Sequence, residues 1–289
     1  MPLISRRFVL MGGSGAMAGL GTGACTPLEA LNTLAKVDKG GGLVASGVQY
    51  GPHPRQAFDV YRPDRPGNAP VLVYFYGGNW NSGRRQDYAF IGKTFAARGF
   101  LTILADYRIM PEYTYPAFIE DGAVAVRVAR ARASEWGGAS GPVYVAGHSA
   151  GAYIAVMLGA SSRWGARQHI AAVVGIAGPY DFYPFTNPVT VATFGRAADP
   201  RSTQPVAVAE AGAPPMLLLQ GAADTTVLPR NSGAMARRLR AQGNSVQEIL
   251  YPGVGHIEIM TALTATFRKR APTLNDTLRF LVATGARPI

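Results

Sequence analysis

The sequence predicts an α/β fold, a mostly parallel eight-stranded sheet with helices on both faces. Three observations predict it. Short apolar runs alternate with helical stretches from residue 43 onward. The runs are rich in Val, Ile and Leu without polar alternation, as in strands covered on both faces. No repeat and no long linker divides the chain, so residues 26–289 read as one domain.

The strands follow in order. "LVASGVQY" and "AFDVYRP" come first. "PVLVYFY" (70–76), "LTILADY" (101–107), "VYVAG" (143–147), "IAAVVGIAG" (170–178), "PMLLLQG" (215–221) and "VQEILY" (246–251) complete the eight. Helices are predicted over 84–98, 117–136, 150–160, 229–242 and 273–284. Strand–helix alternation implies parallel neighbours joined by helical crossovers. Residues 181–214 break the rhythm with several prolines and no clean period. Long excursions of this kind are often binding loops, and Phe182, Tyr183, Phe185 and Phe194 make this one a lid-like insertion over an apolar pocket.

Composition narrows the function classes. Of 289 residues, 48% are hydrophobic and 16% charged, a globular balance. The formal net charge is +11, but the basic residues are scattered and the one dense run is Arg268-Lys269-Arg270. No base-reading motif accompanies them, so a solvated basic surface is read and no nucleic-acid partner. Cys25 is the single cysteine. An internal disulfide and a cysteine-based metal site are therefore excluded, and no metal or organic cofactor is implied.

Residues 1–24 read as an export signal of the twin-arginine type: Arg6-Arg7, then an uncharged glycine-rich stretch too short to span a bilayer well. "TGAC" resembles a bacterial lipoprotein cleavage box, with Thr22 where an aliphatic residue is usual. A lipid anchor through Cys25 and an ordinary signal with an incidental cysteine both stay open. Either places the protein outside the cytoplasm, periplasmic or membrane-anchored.

The chemistry-bearing stretch is "VYVAGHSAGAYIAVM" (143–157). Gly147 and Gly151 flank Ser149 between an apolar strand and an apolar helix. Glycines there permit a sharp turn and close strand–helix approach. The serine then projects above the carboxyl end of the sheet, where open α/β sheets bind ligands. This is the G-x-S-x-G nucleophile elbow, with a serine capping a helix as the plain structural alternative. A serine hydroxyl needs a base. His256, in "YPGVGHIEI" after the last strand, is placed at the same edge, whereas His148 neighbours the turn, His53 lies in an early loop and His169 precedes a strand. Asp224, in the loop after 215–221, is the carboxylate expected to orient the imidazole, with Asp181 as runner-up. "VYFYGGNWNSG" offers Gly78 and Asn79 amides which, with that of Ala150, would stabilise an oxyanion. Trp80, Tyr183 and Phe185 are candidate substrate-pocket walls.

Taken together, these motifs resemble the α/β-hydrolase superfamily, in particular the esterases grouped around hormone-sensitive lipase, acetyl-ester hydrolases and kynurenine formamidase. The resemblance covers roughly residues 45–285. "YGGNW" is similar to the HGGxW or HGGG oxyanion loop, "GHSAG" to the nucleophile motif, and "ADYRIMPEYTYPAFIED" to "DYRLAPE…FPAALED". "QGAADTTV" and "GVGH" match the acid and base loops. The resemblance implies a serine carboxylesterase acting on small ester substrates. Asp106, Tyr107 and Arg108 become scaffolding near the site. Tyr76 departs from the pattern, standing where the family usually has a loop-holding His. With no long N-terminal cap visible, a short acyl chain is expected. An arylformamidase-type hydrolase and a non-catalytic binding protein of the same fold are the alternatives.

Overall fold

The computed structural model describes residues 38–65 and 67–289. The residues read as an export signal, with Arg6 and Arg7, and Cys25, the candidate lipid-anchor site, lie outside the described residues.

Eight strands form one sheet: β1 (Gly41–Gln49), β2 (Ala57–Pro63), β3 (Val71–Phe75), β4 (Leu101–Ala105), β5 (Val143–His148), β6 (Ile170–Ile176), β7 (Met216–Gly221) and β8 (Val246–Tyr251). Their spatial order is β1-β2-β4-β3-β5-β6-β7-β8. β2 runs antiparallel to both β1 and β4, and every other neighbouring pair is parallel. The antiparallel pair follows from a short connection, since residues 50–56 suffice for a reversal but not for a crossover. All residues of β3, β4, β5 and β7 are buried, while the edge strands β1 and β8 are largely half-buried or exposed.

Among the described residues eight α-helices accompany the sheet. They are α1 (Ala89–Ala96), α2 (Ala117–Arg132), α3 (Ala150–Ala160), α4 (Pro188–Phe194), α5 (Pro205–Val208), α6 (Arg230–Ala241), α7 (His256–Thr261) and α8 (Thr273–Ala283). Every residue of α3, "AGAYIAVMLGA", is buried, as expected of a helix apolar on all sides. Both faces of the sheet are covered. A Cβ at Gly159 of α3 would touch Val173 of β6. Val173 pairs with Val145, and the adjacent Tyr144, pointing to the opposite face, reaches the Thr284 carbonyl just after α8.

The helix expected over 84–98 is shorter. A 3₁₀ turn, Arg85–Tyr88, precedes α1, which stops at Ala96. Residues 181–214 contain more order than expected: α4, α5 and the 3₁₀ turn Pro200–Thr203. Their starts carry local signals that a search for apolar periodicity passes over. Asn187 accepts a hydrogen bond from the Val189 amide (2.8 Å) and Asp199 one from the Arg201 amide (3.0 Å), each just before a proline at the first helical position.

Candidate active site

The site sits where β3, β5, β7 and β8 end. Ser149 occupies the turn between β5 and α3 with φ +55° and ψ −122°, a conformation that L-residues avoid. The neighbours explain why it can be held. A Cβ at Gly151 would lie 2.0 Å from the Phe75 carbonyl oxygen, and one at Gly147 2.3 Å from that of Gly151. Two bare glycines therefore let the first turn of α3 press on the ends of β3 and β5, and the serine hydroxyl is left facing outward.

The Ser149 hydroxyl lies 3.0 Å from Nε2 of His256, and His256 Nδ1 lies 2.7 Å from Oδ2 of Asp224. His256 does not sit in a loop as expected. It opens α7, whose start is tied down by the Gly255 amide donating to Glu258 (2.9 Å). Asp224 is 2% exposed and accepts further hydrogen bonds from the Thr226 and Val227 amides (2.9 and 2.8 Å) and from Gln220 Nε2 (3.0 Å). Burial pushes its carboxyl up, but the His256 hydrogen bond and the two amides outweigh burial and hold it below the usual range. An ionised Asp224 accepts a hydrogen bond from the Nδ1–H of His256, which leaves Nε2 free to accept from the serine hydroxyl. Asp181, the runner-up acid, is exposed and makes no contact with His256; its amide donates to Asn231 Oδ1 (2.8 Å).

Opposite this line of groups is the loop after β3. Gly78, Asn79 and Trp80 have φ +140°, +53° and +57°. The Gly78 carbonyl accepts from the Asn81 and Ser82 amides (3.1 and 3.0 Å), turning the loop upon itself. Among the described residues no acceptor takes the amides of Gly78 or Asn79. The Ala150 amide, at the first position of α3, has no partner within the helix and lies at its positive end. Successive amides in such a turn form a concavity suited to an anionic oxygen.

Tyr76 fills the place of the loop-holding histidine by a different route. Its ring stacks between Tyr88 and Tyr107 at 5.2 and 4.9 Å. Its hydroxyl donates to Asp106 Oδ1 (2.7 Å) and accepts from Arg55 (2.7 Å), which also donates to the Gly83 carbonyl (2.7 Å). Burial first, then the Asp106 charge, raise the phenol well above its ordinary pKa, so it stays neutral. Asp106 itself holds Arg85 through its backbone amide and guanidinium. The scaffolding expected of residues 106–108 is thus visible: Tyr107 donates to the Tyr76 carbonyl (2.8 Å) and Arg108 pairs with buried Asp121 (2.7 Å). Tyr76→Phe is expected to cost about 1–3 kcal/mol of stability, since it strips a buried hydrogen-bond network of a member. It should lower kcat more than it raises KM, because it loosens the loop that carries Gly78 and Asn79 into the cavity shared with Ser149. Chemical denaturation and steady-state kinetics check both.

Two further polar residues belong to the site, Gln220, which the sequence does not single out, and His148, which it sets aside as a neighbour of the turn. Gln220 stands in an otherwise apolar strand, and that anomaly was its signal; besides Asp224 it binds the Val227 carbonyl (3.0 Å) and Ser232 (3.1 Å). His148 is 2% exposed, lies with its ring 4.7 Å from that of His256, and donates from Nε2 to the His256 carbonyl (2.9 Å). Burial, with the His256 ring next, drives its pKa down to about 3. In the unfolded chain the same group takes a proton below about 6.5. Stability from this position is therefore intact above pH 6.5 and lost progressively as pH falls towards 3. His148→Asn should show a smaller stability difference between pH 7 and pH 4.5 than the parent, by urea denaturation at each pH.

A cavity of about 730 Å³ opens over Ser149. Phe182, Tyr183, Thr186, Asn187 and Thr190 of the insertion wall one side, so the insertion does overhang the site. Tyr183 lines it and is 40% exposed. Trp80 lines it as well, though it is 3% exposed and packs on Phe194 and Tyr153 at 4.8 and 5.4 Å. Phe185 does not line it, contrary to expectation. Its ring stacks on Phe194 at 5.7 Å and leans on Phe182 at 5.8 Å, because aromatic neighbours within the insertion offer it burial without the cavity. Phe194 is likewise fully buried, an anchor of the insertion and not part of its underside. Phe182 takes the wall position.

Residues 58–239 match the sequence model of the BD-FAE family, well over half of the chain. The chain belongs to the BD-FAE family. Among curated relatives this BD-FAE chain is similar to esterase LipC of Mycobacterium tuberculosis (strain ATCC 25618 / H37Rv), 32% identical over 238 residues, which cover 72% of this chain and 58% of LipC. The chain thus spans a little over half the length of that relative. Among solved structures the BD-FAE chain superposes on a truncated carbohydrate esterase from gut microbiota with a TM-score of 0.74 at 19% identity, covering 86% of this chain and 99% of that one. It superposes on an inhibited esterase B from Lactobacillus rhamnosis with a TM-score of 0.77 at 17% identity, covering 89% and 91%. These likenesses establish the α/β-hydrolase fold.

Proposed function

We propose that this BD-FAE chain is a serine carboxylesterase that hydrolyses short-chain carboxylic esters through an acyl-enzyme intermediate. The observation that carries the reading is the continuous line Ser149–His256–Asp224, with contacts of 3.0 and 2.7 Å. Ser149 Oγ attacks the ester carbonyl as its proton passes to His256 Nε2. Asp224 stabilises the imidazolium that forms, and the amides of Gly78, Asn79 and Ala150 take the charge on the carbonyl oxygen. The tetrahedral adduct collapses, His256 returns the proton to the departing alkoxide, and the acyl group stays on Ser149. Water, deprotonated by His256, then attacks the acyl carbonyl and regenerates the serine. The esterase name of LipC supports the reaction class.

The test is a panel of 4-nitrophenyl acetate, butyrate and octanoate beside N-formylkynurenine. The reading expects turnover of the two short esters to exceed that of the octanoate and of the formamide. Formamide turnover above all esters would replace it with the arylformamidase-type reaction. Absence of any turnover and of any covalent trapping would leave the non-catalytic binding protein.

For location, the Arg6-Arg7 pair and the uncharged stretch after it support export by way of residues 1–24, and the residues before Cys25 support a lipid anchor there. Mass spectrometry of the mature N terminus decides. An acylated Cys25 establishes the anchor, a free N terminus near residue 25 a periplasmic form, and an intact Met1 contradicts export.

A further inference from the structure

We infer that the cavity over Ser149 selects esters carrying an anionic group, and that Arg230 is the side chain that selects them. The inference rests on the carboxylesterase reading and names its substrate class. Among the described residues lining the cavity there is no Asp and no Glu, and Arg230 is the one Lys or Arg. Arg230 is exposed, and no described residue pairs with or hydrogen-bonds to its guanidinium. Other arginines near the site are engaged: Arg55 and Arg85 hold the loop after β3, Arg108 pairs with Asp121, and Arg238 donates to the Ala209 carbonyl (3.0 Å).

The nearby carboxylates do not neutralise it. Asp224 is buried behind His256 with its oxygens already occupied. Asp181 lies outside the lining and forms no ion pair with Arg230. The wall therefore carries a positive charge that no described carboxylate ion-pairs, which favours an anion at that end of the cavity.

The backbone beneath Arg230 is firmly held. Asn231, buried, accepts from the Tyr180 and Asp181 amides (2.9 and 2.8 Å) and donates to the Leu228 carbonyl (3.0 Å). A guanidinium presented on a fixed support, weakly hydrated and planar, suits a carboxylate by its forked donors. Leu228 and Tyr183, 43% and 40% exposed, line the same cavity. They offer apolar contact to a spacer, so the substrate that fits is an ester with an apolar middle and an acidic end.

The test uses matched esters. Monomethyl adipate against methyl hexanoate places the charge on the acyl side. 4-Acetoxybenzoate against its methyl ester places it on the alcohol side. Arg230→Gln should reduce the anionic-to-neutral ratio of kcat/KM in at least one pair by about fivefold, the ceiling for an ion pair open to water. The change should fall on KM, Arg230→Lys should restore part of it, and high salt should shrink the parent's ratio. Ratios in both pairs untouched by Arg230→Gln would overturn the inference while leaving the esterase reading intact. Turnover of no ester at all would instead strike that reading. Binding of adipate and 4-hydroxybenzoate, followed by tryptophan fluorescence, then decides: weaker binding to Arg230→Gln than to the parent supports the anion site, and equal binding removes it.

Discussion

Ser149→Gly is expected to abolish turnover and to raise stability in the same molecule. The activity loss follows from removing the attacking oxygen, and variants of this kind in serine hydrolases lose about 10⁴- to 10⁶-fold in kcat. The stability gain follows from the backbone. With φ +55° and ψ −122°, the serine is held in a conformation that costs a non-glycine residue about 1–3 kcal/mol. Glycine adopts it freely, and its larger unfolded-state entropy returns part of that gain. A net stabilisation of about 1 kcal/mol, or about 2–4 °C in Tm, is expected. Ser149→Ala should lose turnover equally but keep its Tm near the parent value, because it retains the strain. Calorimetry of the three proteins, beside assays with 4-nitrophenyl acetate, separates nucleophile from strain. Equal Tm values for the glycine and alanine variants would mean that the turn stores no such strain.

Gly151→Ala acts on the same turn from the opposite side and should be strongly disruptive. Its Cβ would lie 2.0 Å from the Phe75 carbonyl oxygen and 2.5 Å from that of Tyr76. Both are backbone atoms, so no side chain can swing away. Either α3 lifts from the sheet or the end of β3 moves, and that end carries Gly78 and Asn79. Overpacking of a rigid core commonly costs 1–3 kcal/mol, and a clash with backbone on this scale is expected to cost at least about 3. Thermal unfolding followed by circular dichroism should show the loss of stability. Any folded fraction should have kcat reduced by at least about tenfold, since the amides facing the oxyanion shift with the strand. A Tm and a kcat both near the parent values would show that the contact between α3 and β3 is looser than described.

Much of this arrangement was legible before any coordinates. The apolar runs of β3 to β7 marked a sheet buried on both faces, and α3 and α8 fell within a residue of their expected bounds. Ser149, His256 and Asp224 were placed at one edge because each follows a strand, and the structure brings them into contact. Contacts between distant segments were not legible. Nothing local to His148 announces that its ring reaches the His256 carbonyl 108 positions on. Arg55, in an early loop, gave no sign that it would reach Tyr76 and Gly83. Phe185 illustrates a second limit. An aromatic residue in an irregular segment gains similar free energy from packing on its own scaffold or from walling a cavity, and sequence does not say which it meets. In 181–214 the apolar spacing was uninformative, whereas the Asn187 and Asp199 caps before proline carried the message.

The central claim is that Ser149 is a nucleophile activated by His256. The most direct measurement is incubation with a fluorophosphonate, followed by intact mass and peptide mapping of the parent and of His256→Ala. The account predicts one adduct, on Ser149, formed rapidly in the parent and slowed by orders of magnitude without the imidazole. Ester turnover that persists with no adduct on Ser149, or labelling of Ser149 at an undiminished rate in His256→Ala, would contradict it.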